Sequence, residues 1–261
     1  MARRRSPGWV PDQHGAWAML AAPLVLGTVL GGATWLHLLL AAAWFVAYFA
    51  FHATGLWLKS RRKARYRPPV LAYGAITAVV GGTLLVLDPQ LLWWAPVFAP
   101  LLVISLWCSA RRRDRSLLND GATVLAACAM AVVAWRLGAF PYDAPAAAWA
   151  VAAVLWVYFF GTAFYVKTMI RERGNPTMLR LSIGWHAGAA LAAGALAVVA
   201  GATGATWPGL PGATWGWLAA FFVVMTARAA LVPHRWPRAT PKQLGIGEIV
   251  ATIGLAVALL A

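Results

Sequence analysis

The chain has 261 residues, 62% of them hydrophobic, with a mean hydropathy of +0.70 and 11% charged side chains, a charged share well under half that of an ordinary soluble domain. A water-soluble fold cannot hide so much apolar surface, and the formal charge of +15 is cut into short clusters by long apolar runs instead of forming a basic face or tail, which excludes a nucleic-acid partner.

In chain order, nine runs are long enough to cross a hydrocarbon core: 16–33, 36–58, 70–87, 91–110, 117–135, 146–169, 181–200, 215–231 and 246–261. Asp12, Gln13 and His14 stand at the threshold of the first. The second runs into KSRRKARYR, the third follows Pro68 and Pro69, and the fourth contains Pro96 and Pro100, which are expected to bend it. The fifth opens on Asn119 and Asp120 behind Ser116, and the sixth closes on Lys167, Arg171, Glu172 and Arg173. The ninth opens on Lys242 and Gln243 with Glu248 one turn further in; at 16 residues it needs Leu244 and Gly245 to span, or else is tilted or re-entrant.

With the N-terminus in the cytoplasm, 21 of the 22 Lys and Arg residues fall on the inner side and only Arg136 on the outer, the positive-inside pattern. The expectation is therefore an all-α polytopic protein of the inner (cytoplasmic) membrane, a single domain over 1–261, with nine transmembrane helices, Met1 inside and Ala261 outside. The apolar run past Ala22 offers no signal-peptide cleavage point, and the two cysteines, Cys108 and Cys128, make no disulfide framework.

Glycine and alanine at spacings of three or four in GTVLGG, AYGAITAVVGG, AAGALAVVAGAT and GIGEIVATIG suit close helix packing. Trp9, Trp17, Trp57, Trp93, Trp94, Trp149, Trp207, Trp215 and Trp236 fall near run ends, as an interfacial belt does.

Ionisable groups at membrane depth are costly and are candidates for function. They gather at the cytoplasmic ends, whereas Asp88, Arg136 and Asp143 are the outer counterparts. Each has a plainer reading. Asn119 and Asp120 can cap a helix, Lys167 and Arg171 can snorkel to headgroups, and Glu172 can pair with an arginine. Glu248, in a Gly-rich apolar helix, needs a partner such as Lys242 or Arg228 and is the strongest candidate. His52 and His186 lie about 10 Å below the same interface by residue count; they can hold a haem from both sides or simply hydrogen-bond across helix pairs. No HExxH, CxxC, GxGxxG or GxxxxGKS occurs.

QHGAWAMLAAPLVLG, RRRDRSLLND, YVKTMIRERGN and PKQLGIGEI resemble the YwiC-like family of bacterial integral membrane proteins over nearly the whole chain, which implies the fold and no particular reaction. The nine runs and internal N-terminus are also similar, more weakly, to UbiA-type intramembrane prenyltransferases. That resemblance implies a cytoplasmic-side site in which two Asp-rich motifs hold magnesium on an allylic diphosphate. Here the second run ends in GLWLKSRRKARYR without a carboxylate and the sixth in YVKTMIRERGN without an aspartate pair.

Three functions fit these residues. The first is a basic cytoplasmic-side pocket that binds or processes an isoprenoid phosphate or another anionic lipid: His14, Glu248 and Asp120 supply acid–base chemistry, Gln13, Asn119, Lys167, Arg171, Glu172, Arg173 and Lys242 grip the ligand, and no metal ligand is assigned. The second is a proton-coupled transporter of a small solute or ion, using Glu248, Asp120 and His14. The third is a haem protein built on His52 and His186.

Overall fold

The structure, a computed structural model, describes residues 8–11, 16–140, 145–204, 206 and 209–261. Asp12, Gln13, His14, Asp143 and Trp207 lie outside the described residues. The protein is an all-α polytopic membrane protein whose helices are α1 (Ala16–Gly31), α2 (Leu36–Lys59), α3 (Arg67–Leu87), α4 (Ala95–Ala110), α5 (Leu117–Arg136), α6 (Pro145–Ile170), α7 (Pro176–Thr203), α8 (Gly212–Arg235) and α9 (Pro241–Leu260). Eight of its helical segments are long and apolar enough to cross a membrane, and α1, at 16 residues, is shorter.

Several ends differ from the sequence reading, each for a local reason. The helix expected to be short, α9, gains a turn from a capping box: Thr240 Oγ1 accepts from Gln243 N at 3.3 Å while Gln243 Oε1 accepts from Thr240 N at 2.9 Å. At the start of α7, Asn175 Oδ1 accepts from Thr177 N at 3.0 Å, and Pro176 occupies the first turn, where its missing N–H costs nothing. Pro96 stands in the first turn of α4, and only Pro100 is interior. Residues 91–94 form the end of a short 3-10 helix, Pro89–Trp94, ahead of α4. Because α8 continues to Arg235, Arg228 is a helical residue and not, as the charge pattern suggested, part of an inner connecting segment.

The chain divides into two compact units, Met1–His14 with Gly27–Pro141 and Gly15–Leu26 with Tyr142–Ala261. In the first, GTVLGG packs as expected: a Cβ on Gly27 or Gly31 would run into the backbone of Ala131 or Trp135, so only glycine permits this approach of α1 to α5. His37 joins α2 to α5, with Nε2 donating to Ala134 O at 2.8 Å and Nδ1 accepting from Thr34 N at 3.0 Å. At one end Lys59 Nζ meets Asp114 Oδ2 at 2.8 Å. Burial alone would raise the Asp114 carboxyl, but the hydrogen bond and charge of Lys59 outweigh it and hold the group below the usual aspartate value. At the other end Arg136 sits 3.6 Å from Asp88 and donates to Gln90 Oε1. The glycines of AYGAITAVVGG behave differently from those of GTVLGG: at Gly74, Gly81 and Gly82 an added Cβ meets nothing within 4 Å.

The second unit is built inside out relative to a soluble domain. On α7 the buried positions are Ser182, His186, Ala193 and Ala200, one face of polar and small residues, while Leu191 and Val198 point outward at 76% and 72% exposure. On α9 the buried face is Leu244, Glu248, Ala251, Thr252, Leu255, Ala258 and Leu259, and on α8 Leu218, Phe222, Met225 and Ala229 lie on the face from which Arg228 also projects. Tyr158 and Leu155 of α6 are fully buried. Of the tryptophans near run ends, Trp9, Trp17, Trp93, Trp149 and Trp236 are exposed, whereas Trp215 is a core residue.

Candidate functional site

Glu248 is 7% exposed and lies seven residues into α9; Arg228 lies seven residues before the end of α8. At 1.5 Å per residue both side chains start about 10 Å inside their helices from neighbouring ends. Glu248 Oε1 approaches Arg228 Nη1 to 2.9 Å, with 9% and 16% of the two side chains exposed. Of the two partners expected for Glu248, Arg228 is the one the fold supplies. The approach is ionic and not a well-angled hydrogen bond, since Oε1 has no hydrogen-bond donor.

The other oxygen, Oε2, accepts from Thr162 Oγ1 at 3.0 Å and Tyr158 Oη at 3.2 Å, both on α6. Tyr158 Oη also lies 3.3 Å from Thr252 Oγ1, which donates to Glu248 O at 2.8 Å. The guanidinium of Arg228 stacks over Tyr165, its Cζ 4.2 Å from the ring centroid, a contact that strengthens when desolvated. Nε and Nη2 of Arg228 are buried without a hydrogen-bond partner. A buried guanidinium with unused N–H groups is under-satisfied, and it offers a two-nitrogen fork suited to a phosphate or carboxylate.

One turn of α6 away, Gly161 lets α7 approach. A Cβ there would stand 2.7 Å from Trp185 Cδ1 and 3.0 Å from His186 Nε2. Trp185 Nε1 donates to Val157 O at 2.8 Å, fixing the indole. Nδ1 of His186 faces Ser182 O at 2.7 Å; a carbonyl only accepts, so Nδ1 carries the proton. Among the described residues, Nε2 of His186 and Oγ of Ser182 are buried without hydrogen-bond partners. Trp156, Phe160, Phe164 and Trp185 form a stacked and edge-to-face cluster along α6 and α7.

The remaining sequence candidates occupy other positions. Gln13 and His14 lie outside the described residues. Asn119 and Asp120 belong to the first unit, where Ser116 caps α5 by accepting from Asn119 N at 3.3 Å and Asn119 Nδ2 donates to Asp114 O at 2.8 Å; the capping side chain is that of Ser116. Among the described residues Glu172 has no arginine in ion-pair contact; its Oε2 accepts from Asn175 Nδ2 at 2.9 Å. Arg173 turns back on its own helix, Nη2 donating to Met169 O at 2.8 Å. Lys167 and Arg171 also stand on this end of α6, and Lys242 is exposed in the first turn of α9. Thus Glu248 lies inside the unit while the basic candidates stand at the helix ends.

His52 and His186 fall in different units. His52 stands seven residues before the end of α2 and His186 ten residues into α7, about 10 Å and 15 Å along their own helices. Among the described residues, no three His, Cys, Asp or Glu side chains come together as a metal site.

Arg228 entered the sequence reading only as a possible partner of Glu248, and the two tyrosines and Thr162 were missed. A signal existed: Arg228 and Glu248 both fall on the inward three-four spacing of their helices.

A model of the YwiC-like protein family matches residues 10–135. The uncharacterized protein YwiC of Bacillus subtilis is 34% identical over 242 residues, covering 92% of each chain. The chain belongs to the YwiC-like family. An uncharacterized protein of Haemophilus influenzae is 25% identical over 183 residues, 68% of this chain and 74% of its own. No solved structure matches. The similarity to YwiC covers enough of the chain to take in parts of both units.

Proposed function

We propose that this YwiC-like protein binds the anionic head of a membrane lipid, an isoprenoid phosphate as the leading class, on Arg228 inside its second unit. The observation that carries the reading is the buried guanidinium whose Nε and Nη2 have no partner. The phosphate replaces Glu248 as the main counter-ion, and the aromatic cluster of Trp156, Phe160, Phe164 and Trp185 provides the apolar surface along which a prenyl chain lies. Lys167, Arg171, Arg173 and Lys242 at the helix ends hold the anion at the interface before it descends. Tyr158 and Thr162 keep Glu248 hydrogen-bonded once its cation is shared. In this proposal the chain crosses the inner membrane nine times from an internal N-terminus, with these ends on the cytoplasmic side, a reading supported by the positive-inside distribution of Lys and Arg.

A calorimetric titration of geranylgeranyl phosphate into protein in neutral detergent tests this. Binding is expected in the parent and in Arg238→Ala, and its loss in Arg228→Gln. Equal binding by Arg228→Gln refutes the assignment. A second reading, proton-coupled transport, draws on one observation, a buried carboxylate set against a single cation between helices of one bundle. It predicts solute uptake into proteoliposomes that depends on a proton gradient and disappears in Glu248→Gln.

A further inference from the structure

One cavity of the second unit is not used by the ion pair. It has a volume of about 260 Å³ and opens between the α6–α7 turn and the end of α8, walled by Thr168, Met169, Arg173, Asn175, Leu179 and His234. Its rim is exposed at Arg173, Gly174 and His234, at the helix ends where lipid headgroups lie. Its floor is apolar: Met169, 2% exposed, belongs to a buried cluster with Tyr165, Ala229 and Leu244. On its other side that cluster touches the ion pair, because Tyr165 carries the Arg228 guanidinium on its ring.

The spacing sets the cavity wall and the ion pair on one face of each helix. Arg173, Met169, Tyr165, Thr162 and Tyr158 recur every three or four residues along α6, one face running from the exposed turn to Glu248. On α7 the cavity wall Leu179 is followed on the same face by Ser182 and His186, both fully buried. On α8 the wall residue His234 is six residues beyond Arg228, about 9 Å along the axis.

We infer that this cavity is the headgroup vestibule of the Arg228 site, taking a tetrahedral oxyanion, and that Tyr165 and Met169 form the gate between them. The inference rests on the reading of Arg228 as the anion-binding group. Met169 is unbranched and can change rotamer without moving backbone. Tyr165 is held over a cation that the incoming anion also engages, so occupancy of Arg228 competes with the stacked position of the gate.

Ser182→Cys, an isosteric change one turn behind the cavity wall, reports on the gate. Its reaction with the anionic thiol reagent methanethiosulfonate ethylsulfonate is followed in the full-length protein, with the buried native thiols Cys108 and Cys128 measured in the parent as background. Slow labelling is expected in Ser182→Cys alone, and labelling faster by at least an order of magnitude when Met169→Ala or Tyr165→Leu is added; a melting curve for each variant shows that it remains folded. Equal rates with and without the gate substitutions, or no labelling in any folded variant, overturn the vestibule. Those results leave anion binding by Arg228 standing. Loss of that binding reading alone is recognised by a gate that opens in a protein indifferent to Arg228→Gln.

Discussion

Breaking the Arg228–Glu248 pair from both sides should cost less than the sum of breaking it from each side alone. Two unit charges 2.9 Å apart attract by about 6 kcal/mol at an effective dielectric of about 20. Most of that offsets desolvation, so the pair is worth little in net terms, whereas one partner left alone costs roughly 3–5 kcal/mol. In Arg228→Met, Glu248 keeps the hydroxyls of Tyr158 and Thr162, each worth about 0.6 kcal/mol in a membrane protein, which places the loss near the lower end, about 3 kcal/mol. Glu248→Gln retains an acceptor for those hydroxyls but strands the guanidinium over Tyr165, for about 3 kcal/mol. Arg228→Met combined with Glu248→Gln should lose about 2 to 3 kcal/mol, not the sum, a coupling of at least about 2 kcal/mol. Equilibrium unfolding in mixed micelles of rising dodecyl sulfate fraction, read by circular dichroism, gives all four corners of the cycle. Single losses that add to within about 0.5 kcal/mol would refute a coupled buried pair.

Gly161→Ala forces a Cβ against Trp185 and His186 and should destabilise by about 1–3 kcal/mol in the same unfolding assay; Gly184→Ala, where a Cβ meets nothing within 4 Å, should be neutral or stabilising. The folded carboxyl of Asp114 is held below its ordinary value, so the stability it contributes is complete above about pH 4 to 5 and is lost as pH falls through the lower folded value. Melting points of the parent and Asp114→Asn should therefore differ by a constant amount near neutrality and converge in acid; a gap that widens on acidification would contradict the sign. Alkaline phosphatase fused after Ala261 should be active, and a green fluorescent protein fused there dark, if nine spans start from an internal N-terminus; the reverse pattern sinks that topology.

Hydropathy and charge spacing were enough to place every helix, because a lipid-exposed helix must be apolar along its whole length and its connecting segments need not be. They fail where a polar residue is helical. Arg228 reads as part of a connecting segment because a window over residues 228–242 is rich in basic residues and proline; only the inward face of α8 shows that its charge is internal. Glu248 was legible as a group needing a partner because α9 has no other acidic residue. Tyr158 and Thr162 were not, since hydroxyls in an apolar run have no signature until α6 is set against α9. Glycine spacing was informative at Gly27 and Gly31 and uninformative at Gly74, Gly81 and Gly82, because small-residue periodicity does not say whether another helix is there to be approached. Asn119 and Glu172 looked like site groups, and their side chains bond locally beside helix starts, Asn119 to Asp114 O and Glu172 to the side chain of Asn175, which caps α7.

The most direct test of Arg228 as the anion-binding group is native mass spectrometry, with lipid extraction, of protein purified gently from its membrane, comparing the parent with Arg228→Gln and Arg238→Ala. An anionic, phosphate-bearing lipid retained by the parent and by Arg238→Ala and released by Arg228→Gln is the predicted result. No retained anionic lipid, or one held equally by Arg228→Gln, would contradict it.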